Sequence, residues 1–379
     1  MSIPVFRPTL RRRDFNSVLG CLVSDRIGSG PLAHELAGEL ARYLGVAGGA
    51  CLTTFQAAVH CALDTFELQP GASVILSALA PAEYLPLLAG RGLQAVVVDV
   101  DPATGLLRFA DAERCLASGA KAMVLHYPLG FVPETEDLFA LGLPVLEDIS
   151  QALGGACGGP AGAEGSQARC GGLGQASVLS LAPEGVITAG TGAAVFVRER
   201  RALKALRDAV DRQPRDGLLP DLNAALGLAQ VRELEAFLKS RRAVAEVLAQ
   251  AVARSRHGRL GAERESLDVP YGFPVLVKEG VKQVRQFAMK KGVETRSAFS
   301  DAVIAFGRVA DEPAAAGPVE KAEGGGEPGA TGLAAREFLA EVAAPNAKDL
   351  LGRCTLFPLY PTLTKRDVQL IAKVLSALP

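Results

Sequence analysis

The sequence predicts an α/β protein with a large, mostly parallel sheet held between helices and a smaller α+β domain following it. Between residues 45 and 200, short runs rich in Val, Ile and Leu alternate with helical patterns, as in a sheet covered on both faces. From Asp221 to Arg256 a long stretch rich in Ala, Leu, Glu and Arg is helical in character, and the strand and helix patterns beyond it are shorter. With 379 residues, 49% of them hydrophobic, and a mean hydropathy of +0.22, the chain can bury a large core and a second, smaller one.

In chain order, the first clear helix is Pro31 to Leu44, with apolar residues at helical spacing and an entry turn made by Gly28, Ser29 and Gly30. Strands are expected at Ala72 to Ala78, Gln94 to Val98, Ala122 to His126, Pro144 to Asp148, Ala176 to Leu181 and Gly192 to Val197. Asp148 ends one of these and Asp99 follows another. The carboxyl ends of strands are where open α/β sheets bind ligands. The glycine-rich stretch Gly154 to Gly172 reads as a flexible loop and lacks the GxxxxGK pattern of a nucleotide-binding loop. One long helix over 221–256 is expected to join a large domain, 1–255, to a small one, 256–379. The small domain should contain a strand in YGFPVLV from Tyr271, a helix in VKQVRQFAMKKG and a last helix from Lys365 to Leu378. Residues 309–334, rich in Gly, Pro, Ala and Glu, read as a mobile insertion.

Forty Lys and Arg stand against 41 Asp and Glu, a net charge of −1, which argues against a nucleic-acid or anionic-membrane partner. No apolar run approaches the roughly 18 residues of a membrane span. The Arg-rich start (Arg7, Arg11, Arg12, Arg13) lacks the apolar core of a signal peptide, so a cytoplasmic location is expected. The seven cysteines are scattered without a CxxC pair and read as small buried residues, not a disulfide frame or zinc site.

Seven segments, in order, resemble the DegT/DnrJ/StrS sugar aminotransferases: IPVFRP, RIGSGPLAHELAGELARYLGV, VVVDVDPATG, PVLEDISQALGG, LNAALGLAQV, VETRSAF and TLFPLYPTLT. The resemblance covers nearly the whole chain apart from the insertion. It implies aminotransferase fold type I, pyridoxal phosphate (PLP) as cofactor, a nucleotide-linked keto-sugar as substrate and glutamate or glutamine as amino donor. It also implies a homodimer with active sites between the subunits.

The resemblance fails where the chemistry is done. The family's GDAGVFSFYPTKNLTTGEGG aligns without a gap on GQASVLSLAPEGVITAGTGA, and its Schiff-base lysine falls on Gly185. No shift of register helps, because no Lys occurs between Lys121 and Lys204, and His34, His60, His126 and His257 all lie elsewhere. The phosphate cup NSGTAALH matches TTFQAAVH, with Phe55 for the Gly and Gln56 for the hydroxyl residue, although Thr53 and Thr54 could still donate. The ring-stacking aromatic falls near Pro81, and the Asn brought to the phosphate by the other subunit falls on Asp216.

Other positions survive. Asp148 matches the carboxylate that pairs with the pyridine nitrogen, Gln151 the polar residue near the ring hydroxyl, and Ser180 a serine that reaches the phosphate. Each is either a working contact or a relic kept for structure. His60 and His126 are equally read as core histidines or ligand contacts. Gly28, Ser29, Gly30 and Arg296 match regions that line the sugar site, where Arg296 would pair with a phosphate or carboxylate.

The leading expectation is a member that has lost covalent PLP, and with it transamination, in nucleotide-sugar or surface-polysaccharide synthesis, as a homodimer or paired with an active relative. The alternative is an aminotransferase or dehydratase that binds PLP non-covalently through Asp148, Gln151 and Ser180. A third reading uses Asp148, His126 or Glu184 as acid or base in new chemistry.

Overall fold

The computed structural model describes residues 2–133, 136–157, 168–262, 268–306 and 343–379. The insertion expected at 309–334, and the middle of the glycine-rich stretch 154–172, lie outside the described residues.

Helix α1 (Arg12–Val23) begins where the Arg11 N–H donates to Asp14 Oδ2 at 2.6 Å. Helix α2 (Pro31–Leu44) starts on a proline whose fixed φ suits a first turn, and stops at Gly45, which is left-handed at φ 74°. There follow β1 (Gly48–Leu52), α3 (Phe55–Leu63), β2 (Ser73–Ser77), α4 (Tyr84–Ala89), β3 (Gln94–Val98), α5 (Phe109–Ala117), β4 (Ala122–His126), α6 (Glu136–Ala140) and β5 (Val145–Asp148). A two-stranded ribbon, β6 (Ala156–Cys157) and β7 (Ala168–Arg169), precedes β8 (Ala176–Ser180), β9 (Ala193–Val197), α7 (Leu203–Asp211), α8 (Asp221–Arg232) and α9 (Leu234–Val252). The chain continues with β10 (Gly258–Arg259), β11 (Phe273–Leu276), α10 (Val281–Lys290), β12 (Arg296–Ser297), α11 (Pro345–Arg353), β13 (Cys354–Phe357) and α12 (Lys365–Ser376).

Seven strands form the large sheet in the order β1-β9-β8-β5-β4-β2-β3. All its pairings are parallel except those of β9, which runs against both neighbours. Side chains alternate between the faces. Ile75, Met123, Leu125, Val145, Leu179 and Phe196 pack beneath α2, α8 and α9. Val74, Leu76, Val124, Leu146, Val178 and Val195 pack beneath α3, α4 and α7. Each large apolar side chain buried this way contributes roughly 1.5–3 kcal/mol.

Two expectations need correction. Strand β1 was not anticipated, because GGACL has no apolar run. Its glycines are a condition of the pairing: a Cβ on Gly49 would sit 2.5 Å from the Val195 carbonyl and 2.3 Å from the Phe196 ring. The single helix expected over 221–256 is two helices, broken at Glu233 (φ −102°, ψ 1°). The Glu233 carboxylate is held there by Arg11 at 2.9 Å and Arg13 at 2.6 Å.

The second sheet is antiparallel throughout, in the order β10-β11-β13-β12, and packs Phe273, Val275 and Phe357 against α9, α10 and α12. Ile3 near the start of the chain pairs with Val293 beside this sheet. No helix among the described residues is long and apolar enough to cross a membrane.

Candidate functional site

His126, Asp148 and Ser180 close β4, β5 and β8, and the alternation of side chains puts all three on the face covered by α3 and α4. The parallel register places His126 opposite Asp148. Asp148 is fully buried. Its Oδ2 accepts from His126 Nδ1 at 3.2 Å and its Oδ1 from the Ser150 N–H at 3.1 Å. Burial works to raise the Asp148 pKa, but the hydrogen bond and charge of His126 and the contacts to Ser150 outweigh it and hold the carboxyl below its usual range. An ionised carboxylate only accepts, so Nδ1 of His126 carries the proton.

Sequence reasoning missed a group near that carboxylate. Tyr84, the first residue of α4, is fully buried, and its hydroxyl has no hydrogen-bond partner in good geometry. Burial, then the charges of Asp148 and Glu83, push the phenol pKa well above its ordinary value, so Tyr84 stays protonated beside Asp148. Phe55, the first residue of α3, meets the Tyr84 ring edge-on, with centroids 5.9 Å apart and planes at 83°. The signal was present in SALAPAEY, where an aromatic residue lies three positions past Pro81. Pro81 itself brings no aromatic ring. Its backbone pairs with Ala302, and the Ala82 N–H donates to the Asp301 carbonyl at 2.8 Å, which ties this loop down. Half-buried Glu83 has its pKa pushed up to about 7 by burial and by the charge of Asp148, and Gln56 Nε2 donates to it at 3.4 Å.

Gly185 lies in the turn after β8, with its N–H bonded to the Ala182 carbonyl at 3.0 Å. A Cβ there would lie 2.4 Å from the Ile187 carbonyl oxygen and 3.2 Å from that of Ala182. At the start of α3, Thr54 Oγ1 accepts from the Ala57 N–H at 3.1 Å, and the Thr53 N–H donates to the Gly217 carbonyl at 2.9 Å. Both Thr54 and Gln56 are exposed, as is Asp216 next to Gly217. Gln151 is bound within the protein: its Oε1 accepts from the N–H of Leu129 at 2.6 Å, and Leu129 is held in a left-handed conformation at φ 57°. Ser180 donates its N–H to Ser150 Oγ at 3.0 Å, and its own hydroxyl oxygen receives the Ala182 N–H at 3.4 Å. His60 sits in the last turn of α3, where burial and then the charge of Arg91 lower its pKa.

The expected sugar-site residues fall into two places. Gly28, Ser29 and Gly30 pack on the start of α8: the Gly28 carbonyl accepts from the Asp221 N–H at 2.8 Å and Ser29 pairs with Pro220. A Cβ on Gly30 would lie 2.6 Å from Asp221 Oδ2, so a larger residue there would displace the Asp221 carboxylate. Arg296 lies over the Phe6 ring at 4.4 Å, and Phe6 in turn contacts Tyr271 with centroids 5.4 Å apart. The buried Nε of Arg296 has no hydrogen-bond partner. Burial raises Tyr271 to about 12, against the pull of Arg296 and Arg241 and with help from Glu184 and Asp301, so these charges surround one phenol. No group of three or more His, Cys, Asp or Glu side chains is placed to hold a metal among the described residues.

A profile of the DegT/DnrJ/EryC1/StrS aminotransferase family matches residues 8–323. The chain belongs to this family. Its fold matches Spr1654 of Streptococcus pneumoniae, described as a sugar aminotransferase and solved in a PLP form, with TM-score 0.82 and 17% identity over 99% of this chain and 98% of that one. PseC of Helicobacter pylori, an aminotransferase of pseudoaminic acid biosynthesis, matches with TM-score 0.81 and 17% identity over 99% and 98%. TlmJ, an aminotransferase of Streptoalloteichus hindustanus, matches with TM-score 0.76 and 21% identity over 100% and 98%. At these identities the likeness carries the fold, which is the type I fold of the sugar aminotransferases.

Proposed function

We propose that this protein is a non-transaminating member of the sugar aminotransferase family. It keeps the fold and the sugar-facing edge but does not hold PLP. The observation that carries the reading is Gly185: the position has no amine and no room for a side chain, and no lysine lies within the surrounding sequence from Lys121 to Lys204. The residues around Asp148 do not fit the cofactor either, since the buried Tyr84 phenol lies within the field of the carboxylate that would face the pyridine nitrogen and Phe55 stands at the helix start that would cup the phosphate. Arg296, stacked on Phe6 with an unpartnered Nε, suits the phosphate or carboxylate of a nucleotide-linked sugar. In this reading the protein works in nucleotide-sugar or surface-polysaccharide synthesis in the cytoplasm, as a homodimer or beside an active relative.

The test is to mix the protein with PLP, follow the aldimine absorbance, reduce with borohydride and map any labelled peptide. We expect no specifically labelled lysine; a stoichiometric adduct at one lysine would overturn the proposal. Nucleoside diphosphate sugars should bind to the wild type and at least tenfold more weakly to Arg296→Ala.

A second reading is favoured by one fact, that Asp148 is kept ionised as a pyridinium partner would need. It has PLP bound non-covalently, and turnover of a keto-sugar nucleotide with glutamate, lost in Asp148→Ala, would establish it.

A further inference from the structure

Tyr84 is more than a bulky residue at the start of a helix. Its buried hydroxyl lies close enough to Asp148 to feel the carboxylate's charge, and its ring meets that of Phe55 edge-to-face at the first turn of α3. These are the two ends of the line along which the family resemblance would lay the cofactor, pyridine nitrogen at Asp148 and phosphate at the start of α3. Asp148 is reached by no solvent, although it ends a strand where a ligand-facing carboxylate would be open. The loop leading into Tyr84 is pinned by residues 301–304. The Ala82 N–H donates to the Asp301 carbonyl at 2.8 Å, and the N–H groups of Val303 and Ile304 donate to the carbonyls of Ala80 and Ala78 at 2.8 and 3.0 Å.

We infer that Tyr84 is an internal occupant of the ring seat over Asp148, a side chain of this protein standing where an N-heteroaromatic ligand would lie. The inference rests on the reading that the protein does not hold PLP, and goes beyond it by naming what fills the place. A phenol is near in size to a hydroxypyridine ring and can offer an O–H toward a carboxylate where a pyridinium offers an N–H. The match is imperfect, because the Tyr84 hydroxyl lacks a well-aligned acceptor. Removing the ring leaves a ring-sized cavity with apolar walls and an anionic floor, and a small aromatic molecule of matching shape can displace the water that enters it. Asp148 adds selectivity for a ring that presents a proton on nitrogen.

The probe is 3-hydroxypyridine, which has the heavy-atom count of the phenol removed and neither the aldehyde nor the phosphate of the cofactor, and the readout is the melting temperature of the full chain. Saturating 3-hydroxypyridine should raise the melting temperature of Tyr84→Ala by about 2–5 °C, through binding to the folded state alone. It should leave the wild type unmoved. In Tyr84→Ala with Asp148→Asn the 3-hydroxypyridine shift should fall to that given by phenol. Tyr84→Val, a milder truncation, is read in the same way, and a variant that is unfolded alone should refold on adding 3-hydroxypyridine. An equal shift in the wild type would mean that the seat is open, and no response from either variant would mean that Tyr84 fills some other space. Either result overturns this inference while leaving the absence of a PLP-lysine adduct untouched.

Discussion

Gly185→Lys puts back the side chain on which transamination depends, and the geometry around the turn says that this change alone will not restore the site. Its Cβ would land 2.4 Å from the Ile187 carbonyl oxygen and 3.2 Å from that of Ala182. Carbon and carbonyl oxygen approach to about 3.3–3.6 Å even in favourable contacts, so the backbone would have to retreat by about 1 Å. The Gly185 N–H to Ala182 carbonyl bond, 3.0 Å, resists that movement. Overpacking of this kind costs about 1–3 kcal/mol. At about 2.1 cal/mol/K per residue a chain of 379 residues shifts by only about 1.3 °C per kcal/mol, so the melting temperature should fall by about 1–4 °C. The assay pairs thermal unfolding followed by circular dichroism with PLP addition, borohydride reduction and peptide mapping. We expect a lower melting temperature and no pyridoxyl adduct at position 185. A variant that melts like the wild type and carries the adduct there would refute the reasoning on both counts, the closed turn and the occupied seat.

Asp148→Asn exchanges a charge-assisted hydrogen bond to His126 for a neutral one and should destabilise the protein by about 1–2 kcal/mol at pH 7. The folded Asp148 pKa lies below its unfolded value, so its contribution is present above about pH 4, the unfolded value, and is lost as pH falls through the folded one. Melting curves from pH 3 to 7 should therefore be flatter for the variant, and parallel curves would reject the assignment. Glu83 has the opposite sign. Its folded pKa is raised to about 7, so ionising it penalises the folded state as pH climbs from about 4.5 to 7. Glu83→Gln should then melt higher than the wild type at pH 8 and show no such gain at pH 5, and the same difference at both pH values would contradict this. Gln151→Leu leaves the buried Leu129 N–H unpaired and should cost about 1–3 kcal/mol in urea unfolding, whereas a ligand contact at Gln151 would leave stability unchanged.

Much of the large sheet was legible because its strands are continuous runs of Val, Ile and Leu, the composition demanded of strands buried on both faces. Strand β1 was not, since its glycines answer to Phe196 and Val195 on a strand far along the chain. The break at Glu233 was hidden for a related reason. LAQVRELEAFLK is made of helix formers throughout, and what holds Glu233 out of line is a pair of arginines near the start of the chain, 222 and 220 positions away. The candidate site divides similarly. Position-by-position comparison located Gly185, Phe55 and Asp148, but it could not tell that Gln151 and Ser180 are bonded to neighbouring backbone.

The sequence by itself determined what is chemically missing: an amine at position 185 is absent whatever the chain folds into, and residue identity does not depend on geometry. Only the tertiary structure decided what stands in its neighbourhood. The direction of Tyr84 is set by how α4 packs on β2 and β4 and by the backbone bonds from residues 301–304 to 78–82. The backbone bonds join segments more than 200 positions apart, which no local pattern of residue types encodes.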